Sequence, residues 1–413
     1  KHFFFILLII VFLPLGVFAQ GSFPPFTQEL YIPPVLEPEG TIAGVTSYNL
    51  IARTGSVAFF GSKETPTLGY NGNYLGPTIR VRRGEKVSIR VDNTLDEPTT
   101  VHWHGLHIPG EADGGPHQIV QPGKSWNPVF TVNQEAATLW YHPHLLGKTA
   151  EQVYRGLAGM FIIDDENSSN LNIPNKYGIN DIPLIIQDRR FYDDGTFAYR
   201  PSRSDIMHGL IGNTITINGT VKPWLKVPNA LVRFRILNGS NSSLYRISLT
   251  DGSVFSQIAT DGGFLEKAVK MDTTVLSPGE RAEIIVDFAN FKDKEVSLKV
   301  EIYNGREFEA LKIKIENSDA GSVNTIPYRL NRIVEIPESD ADRTRRFVMQ
   351  TGMGSFSING KKKDMSRIDE IVKLGSTEIW EIYNRPMGMM QIPHSFHIHD
   401  VQFQILDRNG NPP

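Results

Sequence analysis

The stretch Val87-Ser88-Ile89-Arg90-Val91 alternates apolar with polar residues, and a second stretch, Val232-Arg233-Phe234-Arg235-Ile236, has the same alternation. Because successive side chains of a β-strand point to opposite faces, each stretch predicts a strand with one face on a core and the other in water. Similar short runs rich in Val, Ile, Phe and Thr follow along the chain, separated by Gly, Pro, Asn and Asp, and long helical periodicity is nearly absent. The pattern predicts an all-β fold of sandwich domains.

These strands belong to a unit that recurs three times, each copy having a turn, an alternating strand, an Asn and then a pair of residues two apart. The first copy consists of Gly76-Pro77, the strand from Val87, Asn93, and His102 with His104. The second consists of Asn218-Gly219, the strand from Val232, Asn238, and Tyr245 with Ile247. The third consists of Asn359-Gly360, the strand Glu378 to Ile382, Asn384, and His397 with His399. We therefore predict domains at 20–165, 166–325 and 326–413, the last of them incomplete.

Residues 1–19 have a basic start, an apolar run and small residues at Val17 and Ala19, which predicts a secretory signal peptide cleaved after Ala19. An uncleaved membrane anchor is the alternative, because the run is close to the ~18 residues that span a bilayer. Both interpretations place the protein outside the cytoplasm, periplasmic or secreted, and the first leaves no membrane contact in the mature form. The chain contains no cysteine, so disulfides do not stabilise it.

The charges give no indication of a nucleic-acid partner. Lys and Arg total 42 against 45 Asp and Glu in 413 residues, for a formal net charge of −3, and the two signs are mixed along the sequence. We expect a globular, monomeric protein that acts on small molecules.

Seven of the eleven histidines fall in three tight groups, namely His102 and His104, His142 and His144, and His394, His397 and His399. An H-x-H on a strand places both imidazoles on one face, which suits ligation of one metal ion or of adjacent ions. The alternative is polar decoration of a strand, but three pairs beside aromatic residues in one repeat favour a metal cluster. Imidazole ligands suit copper, zinc, iron or nickel, and a catalytic zinc site typically uses only three protein ligands.

The other histidines carry weaker signals. His2 lies in the predicted signal, and His208 has no partner motif. His107 and His117 flank the first motif in a Gly-rich loop, where contact with the site is an open possibility.

In combination and order, His102-Trp103-His104-Gly105, Trp140-Tyr141-His142-Pro143-His144 and His394-Ser395-Phe396-His397-Ile398-His399 resemble three of the four copper motifs of multicopper oxidases, especially the three-domain bacterial group of copper-efflux oxidase, spore-coat laccase and bilirubin oxidase. The resemblance implies tandem cupredoxin-like Greek-key β-sandwich domains, two complete and a third incomplete. It also implies type 1, type 2 and type 3 copper as cofactors.

By this resemblance His102 and His397 hold the type 2 copper, His394 is one ligand of the type 1 copper, and four histidines hold the type 3 pair, namely His104, His142, His144 and His399. The cluster then lies between the first and third units, with the second as a spacer. Asp113, in the loop after the first motif, resembles the family's acidic proton relay, although a turn Asp ahead of Gly114-Gly115 is the plain alternative.

The fourth motif, His-Cys-His, is missing, and a type 1 site requires its cysteine thiolate. One explanation is a chain truncated at its C-terminus, and the other is a copper-free scaffold like the cell-division members of the fold. The implied reaction of the full-length protein is one-electron oxidation of a small reducing substrate or metal ion, coupled to four-electron reduction of O2 to water. The donor stays open between phenols, pigments and metal ions. Met387, Met389 and Met390 are either loop packing or a soft-metal contact, and Asp400 stands where many relatives carry Gly.

Overall fold

A computed structural model describes residues 26–61, 63–289, 291, 295–317, 323, 325–352, 355–386 and 393–412. The predicted signal peptide and the three clustered methionines lie outside the described residues. Nearly all regular structure is β-strand, which confirms the all-β prediction. Among the described residues, none of the helices combines the length and apolar character needed to cross a lipid bilayer.

The first unit forms two sheets that enclose an apolar core. Its strands are β1 Gly40–Ile42, β2 Val45–Val57, β3 Thr65–Tyr70, β4 Ile79–Arg82, β5 Lys86–Asn93, β6 His102–His104, β7 Ser125–Trp126, β8 Val129–Thr131, β9 Ala137–His142 and β10 Gly159–Asp164. Helix α1, Thr149–Arg155, precedes β10. One sheet has the order β1-β2-β5-β7, with β3 on β2 and β8 on β5, and the other has the order β4-β10-β9-β6. Tyr48, Ile89, Trp103 and Phe161 belong to the core between them.

The second unit is also a two-sheet sandwich. Its strands are β11 Asp181–Arg189, β12 Thr214–Ile217, β13 Thr220–Val221, β14 Trp224–Pro228, β15 Leu231–Asn238, β16 Tyr245–Leu249, β17 Phe255–Thr260, β18 Gly263–Met271, β19 Thr273–Leu276, β20 Arg281–Asp287, β21 Glu295–Ile302 and β22 Glu307–Glu316. Helices α2, Glu166–Asn170, and α3, Arg203–His208, lie before β11 and before β12. The sheet orders are β13-β12-β11-β15-β20-β17-β18 and β14-β22-β21-β16-β19.

The third unit forms one sheet in its described part, with strands β23 Arg343–Gly352, β24 Ser355–Ile358 and β25 Glu378–Arg385 in the order β24-β23-β25. A 3-10 turn at Glu338–Asp340 precedes β23. Large apolar side chains are exposed here, including Leu374 at 99%, Val334 at 73% and Phe403 at 59%. The three units keep separate sheets, and the exact domain limits stay a prediction.

The predicted repeat has a structural basis in the strand pairing. The alternating strands β5, β15 and β25 each pair in parallel with an earlier strand, β2, β11 and β23 respectively. Asn93 and Asn238 end the first two in the same way, because each side-chain amide donates to two backbone carbonyls and each side-chain oxygen accepts from the backbone N–H two residues later. This arrangement fixes the loop that leads to the following H-x-H position.

The turn that opens the first copy is different from the prediction. Asn218 and Asn359 adopt positive φ before Gly, and each side chain bonds to the early strand of its unit, at Ile185 with Pro183 and at Val348 with Arg346. In the first unit the same contacts come from Asn71, which bonds to Ile51 and Asn49 on β2. Asn71-Gly72, and not Gly76-Pro77, is therefore the equivalent turn. Asn tolerates this left-handed conformation because its short polar side chain bonds locally.

The prediction of a water-facing side is correct for β5 and wrong for β15. Residues of β5 alternate between buried and more exposed, whereas every residue of β15 is buried. Arg233 and Arg235 point toward the first unit and pair with Asp181 and Glu283. A polar strand face is thus also consistent with a buried domain interface when its charges are paired.

Candidate metal centre

Strand pairing brings the first two histidine motifs together. Strands β6 and β9 are antiparallel neighbours, with His102 opposite His142 and His104 opposite Trp140. His144 follows two residues after the end of β9. Trp140 stacks on the ring of His142 with 4.0 Å between centroids, which fixes one face of that imidazole. Two adjacent strands therefore provide four imidazoles at one end of the first unit.

The third motif crosses from the third unit onto this group. The Nε2 atoms of His102 and His397 are 3.4 Å apart, and the rings of His102 and His399 stack with centroids 4.0 Å apart. The described residues from 393 to 400 contain no strand, so the period-two argument was wrong for His397 and His399, although their convergence was predicted. A loop, rather than a strand face, therefore orients His397 and His399 toward His102.

The spacing of the nitrogens fits metal ligation. A tetrahedral ion with bonds of about 2.0 Å separates two ligand nitrogens by about 3.3 Å. The 3.4 Å between His102 and His397 and the 3.2 Å between His104 Nδ1 and His142 Nε2 match this separation. Two sets of three histidines each have their ligand nitrogens within 4.8 Å of one another. One set is His102, His397 and His399, and the other is His102, His104 and His142. His102 belongs to both sets.

Burial keeps these imidazoles uncharged. It lowers the pKa of His104 and His142 well below the usual value, and it also lowers the pKa of His102. The pKa of His144 falls to about 4 and that of His397 to about 3, with burial again the main cause. Metal ligation requires neutral imidazole, so the site is prepared for a cation at neutral pH.

Asp113 connects the first and third motifs. Its Oδ1 lies 3.1 Å from His102 Nδ1 and its Oδ2 lies 2.8 Å from His399 Nδ1, while its backbone carbonyl also accepts from His102 Nδ1 at 3.0 Å. Burial raises the pKa of this carboxyl, but the hydrogen bonds from His102 and His399 outweigh it, and the net pKa is lowered. The ionised carboxylate thus accepts the Nδ1 proton of His399, the backbone carbonyl of Asp113 accepts that of His102, and both Nε2 atoms are left for a metal.

A glycine allows this loop to approach so closely. Gly114 has a φ of +76°, and a β-carbon there would lie 1.6 Å from the carbonyl oxygen of Val101. The adjacent Trp103 donates its indole N–H to the carbonyl of Ala112 at 3.0 Å. The Gly-Gly sequence is therefore what brings the Asp113 carboxylate to the histidines, and a simple turn residue does not account for its contacts.

His394 lies apart from both metal-binding sets of the described residues, and its Nε2 is 3.0 Å from Thr351 Oγ1. His107 and His117 are exposed in the loop after the first motif. Asp400 has a φ of +66°, which explains why Gly suits this position and why Asp is tolerated. Burial raises the pKa of its carboxyl, and a hydrogen bond from the backbone of Ile108 partly offsets that effect.

The second unit also reaches the site, which the sequence did not predict. Gly279 lies so near that a β-carbon there would be 3.3 Å from His104 Cε1 and 3.6 Å from Trp140 Cζ2. Arg281 follows it, buried, and donates to the carbonyl of Thr138 on β9 at 3.0 Å. The expectation of a mere spacer was therefore incomplete. Tyr245 and Ile247, at the positions of the first histidine pair, are instead part of the second unit's apolar core.

Comparison with known proteins identifies the family. Two models described as multicopper oxidase match residues 52–168 and 335–413. A multicopper oxidase of Staphylococcus aureus is 39% identical over 94% of this chain and 81% of its own length. The cell division protein FtsP of Pectobacterium atrosepticum is 34% identical, with 97% and 83% covered.

The solved structure of a laccase-like multicopper oxidase, CueO, from Ochrobactrum sp. superposes with a TM-score of 0.86 at 36% identity and covers 93% of this chain and 88% of that one. This likeness confirms the cupredoxin-like fold as well as the resemblance of the motifs. The chain belongs to the multicopper oxidase family.

Proposed function

We propose that this protein is a copper-dependent oxidase that couples one-electron oxidation of a small donor to four-electron reduction of O2 to water. The convergence of six histidines from two units, with nitrogen separations of 3.2 and 3.4 Å, carries the proposal. His102 and His397 would hold the type 2 copper. The type 3 pair would be held by His104 with His142 and by His144 with His399, and His394 would serve the type 1 copper.

The protein residues have three tasks at such a site. The carboxylate of Asp113 accepts from His399 Nδ1 and its backbone carbonyl accepts from His102 Nδ1, which orients both rings and fixes their tautomers. Burial lowers the pKa of His102, His104 and His142 and keeps these imidazoles neutral. As an ionised carboxylate between the first and third units, Asp113 is also able to accept a proton, the task of a relay in a reaction that consumes four. Copper, when bound, supplies the one-electron redox steps.

We also infer that further cupredoxin strands cover the third unit in the cell. The support is its single sheet in the described part and its exposed apolar side chains, such as Leu374 and Phe403. The type 1 cysteine would then come from those strands, since the 413 residues contain none. The mass of the native protein tests this inference, because one close to 46.3 kDa, or close to that value minus the signal peptide, would contradict it.

A copper-free structural role is the second candidate, because relatives named as cell division proteins are as much as 36% identical to this chain. The retained histidines argue against it, since buried neutral imidazoles are of no use to a scaffold. Residues 1–19 support export to the periplasm or the medium in either case. The donor, the monomeric state and the nature of any metal substrate stay predictions.

Copper binding decides between the two candidates. The 413-residue chain, reconstituted with Cu(II) and freed of excess metal, should retain copper, and His102→Ala should retain much less. His208→Ala is the matched control, because His208 is exposed on α3 and its imidazole contacts Ser204 of the same helix. A wild-type chain without copper would overturn the oxidase proposal and favour the scaffold. Oxidation of a phenolic dye or cuprous ion by the full-length gene product then tests the reaction.

A further inference from the structure

The second unit contributes a turn and a strand to the surroundings of the histidine cluster. The turn consists of Ser277 to Glu280, and β20 begins directly after it at Arg281. Gly279 in this turn faces His104, and the carbonyl of Pro278 accepts a hydrogen bond of 3.3 Å from Ser395 of the third motif. The turn is therefore in contact with the first histidine motif at His104 and with the third motif at Ser395.

Arg281 is held rigidly beside this turn. Its side chain is 4% exposed and donates to three backbone carbonyls, those of Thr138 at 3.0 Å, Gly279 at 2.9 Å and Asp261 at 3.0 Å. One guanidinium nitrogen would be 2.9 Å from a β-carbon on Gly105, the residue after His104. These bonds to neutral carbonyls, together with the ion pair to Asp261, hold the buried guanidinium of Arg281 in a fixed position next to the cluster.

The charge of Arg281 is only partly compensated. Its ionic partner, Asp261, is 2.8 Å away, but that carboxylate is 46% exposed and water screens it. The guanidinium, by contrast, is buried on the side of the histidines, where a low dielectric strengthens its field. The second unit thus places a buried guanidinium beside the cluster, with a half-exposed carboxylate as its ion-pair partner.

We propose that Arg281 is a positioning residue that supplies a fixed positive charge to the copper cluster and strengthens the binding of small anions there. The proposal rests on the proposed function, because it assumes copper at the histidines. A positive charge near bound cupric ions favours any anionic ligand that reduces the local charge, hydroxide or azide alike. The same charge disfavours cupric over cuprous ions, so it also favours reduction of the cluster.

Azide is a suitable probe, because its binding to Cu(II) gives a charge-transfer absorption that does not depend on turnover. The copper-loaded 413-residue chain is titrated with azide and the dissociation constant compared between variants. Arg281→Gln should weaken azide binding about tenfold, the order expected when one unit charge is removed from the edge of a buried site. Arg281→Lys keeps the charge and should restore most of the affinity.

Asp261→Asn is the decisive variant. It keeps an oxygen that can accept from the backbone N–H of Arg281, now 2.7 Å from Asp261 Oδ1, but it removes the compensating negative charge. Azide binding should therefore become tighter, the opposite direction from Arg281→Gln. A residue that only supports the fold would make both variants looser, so weaker binding in Asp261→Asn would overturn the proposal.

The same measurements distinguish a failure of the Arg281 proposal from a failure of the proposed oxidase function. A wild-type chain that retains no copper would overturn the proposed function and this inference with it. A wild-type chain that binds copper and azide, with the affinity unchanged in both Arg281→Gln and Asp261→Asn, would overturn the role of Arg281 alone. Should Arg281→Gln fail to fold, Asp261→Asn still decides, because the role of Arg281 requires tighter azide binding in that variant.

Discussion

Replacing Asp113 by Asn removes one charge and one acceptor while it preserves the shape of the side chain. The carboxylate accepts from His399 Nδ1 at 2.8 Å and lies 3.1 Å from His102 Nδ1. An amide has a single acceptor oxygen, so its NH2 group must face one of these two ring N–H groups. His102 keeps a second partner in the backbone carbonyl of residue 113, at 3.0 Å, and we therefore expect His399 to suffer more.

The size of the effect follows from the role of such partners. Mutation of the hydrogen-bond partner of a ligating His costs about 10- to 100-fold in metal affinity. That range corresponds to about 1.4–2.8 kcal/mol of binding free energy. Because Asp113 serves two ligands and one of them keeps another acceptor, we expect about 30-fold, near the middle of the range.

Competition with a chromogenic chelator for Cu(II) measures this loss in the purified chain. Asp193→Asn is the matched control, since Asp193 is exposed in the loop between β11 and α3. The free energy of unfolding of the metal-free Asp113→Asn variant should be measured as well, so that a folding defect is not taken for a binding defect. An unchanged copper affinity in a folded variant would refute the orienting role of the carboxylate.

Three further perturbations test the surroundings of the cluster. Gly279→Ala adds a β-carbon 3.3 Å from His104 Cε1 at a φ of +85° and should lower both copper affinity and melting temperature, whereas Gly252→Ala, with a φ of +73° and open space around it, should lower only the latter. Thr138→Val removes a buried hydroxyl that bonds to a carboxylate and a guanidinium of the second unit, and should cost about 1–3 kcal/mol in urea unfolding. The pKa of His144 is about 4 in the folded protein and near 6.5 in the unfolded chain, so the unfolded state takes up the proton first as the pH falls. With the metal chelated, the stability contributed by His144 should be fully present above pH 6.5 and should fall between pH 6.5 and 4. An unfolding midpoint that does not change with pH in this range would contradict this.

The strands and the histidine cluster were predictable because their signals are local. Alternation over five residues around Val87 or Val232 is sufficient to indicate a strand, and an H-x-H carries its own spacing. The sequence did not identify Asn71-Gly72 as the turn of the first copy, because Asn71 lies farther along the chain from strand β5 than Gly76-Pro77 does. Its hydrogen bonds to β2 identify it, and no sequence pattern records those bonds.

The contribution of the second unit could not be predicted from the sequence. Arg281 is one arginine at the start of an ordinary strand, and its contact with Thr138 joins residues 143 positions apart. The alternation of β15 indicated polar side chains but not where they face. Arg233 and Arg235 proved to be buried because acids of the same unit neutralise them at the interface with β9. Long-range pairing of this kind leaves no periodic signal.

The same position occurs in two chemical versions within this chain, and their comparison supports the proposed metal site. In the second unit Tyr245 and Ile247 occupy it, completely buried in the apolar core, where they stabilise the fold at any ordinary pH. In the first unit His102 and His104 occupy it, and their lowered pKa means that acid destabilises the metal-free protein. A scaffold would gain stability by using the apolar version in both units. The costlier version, together with the hydrogen bonds that Asp113 makes to it, supports the metal site that we propose.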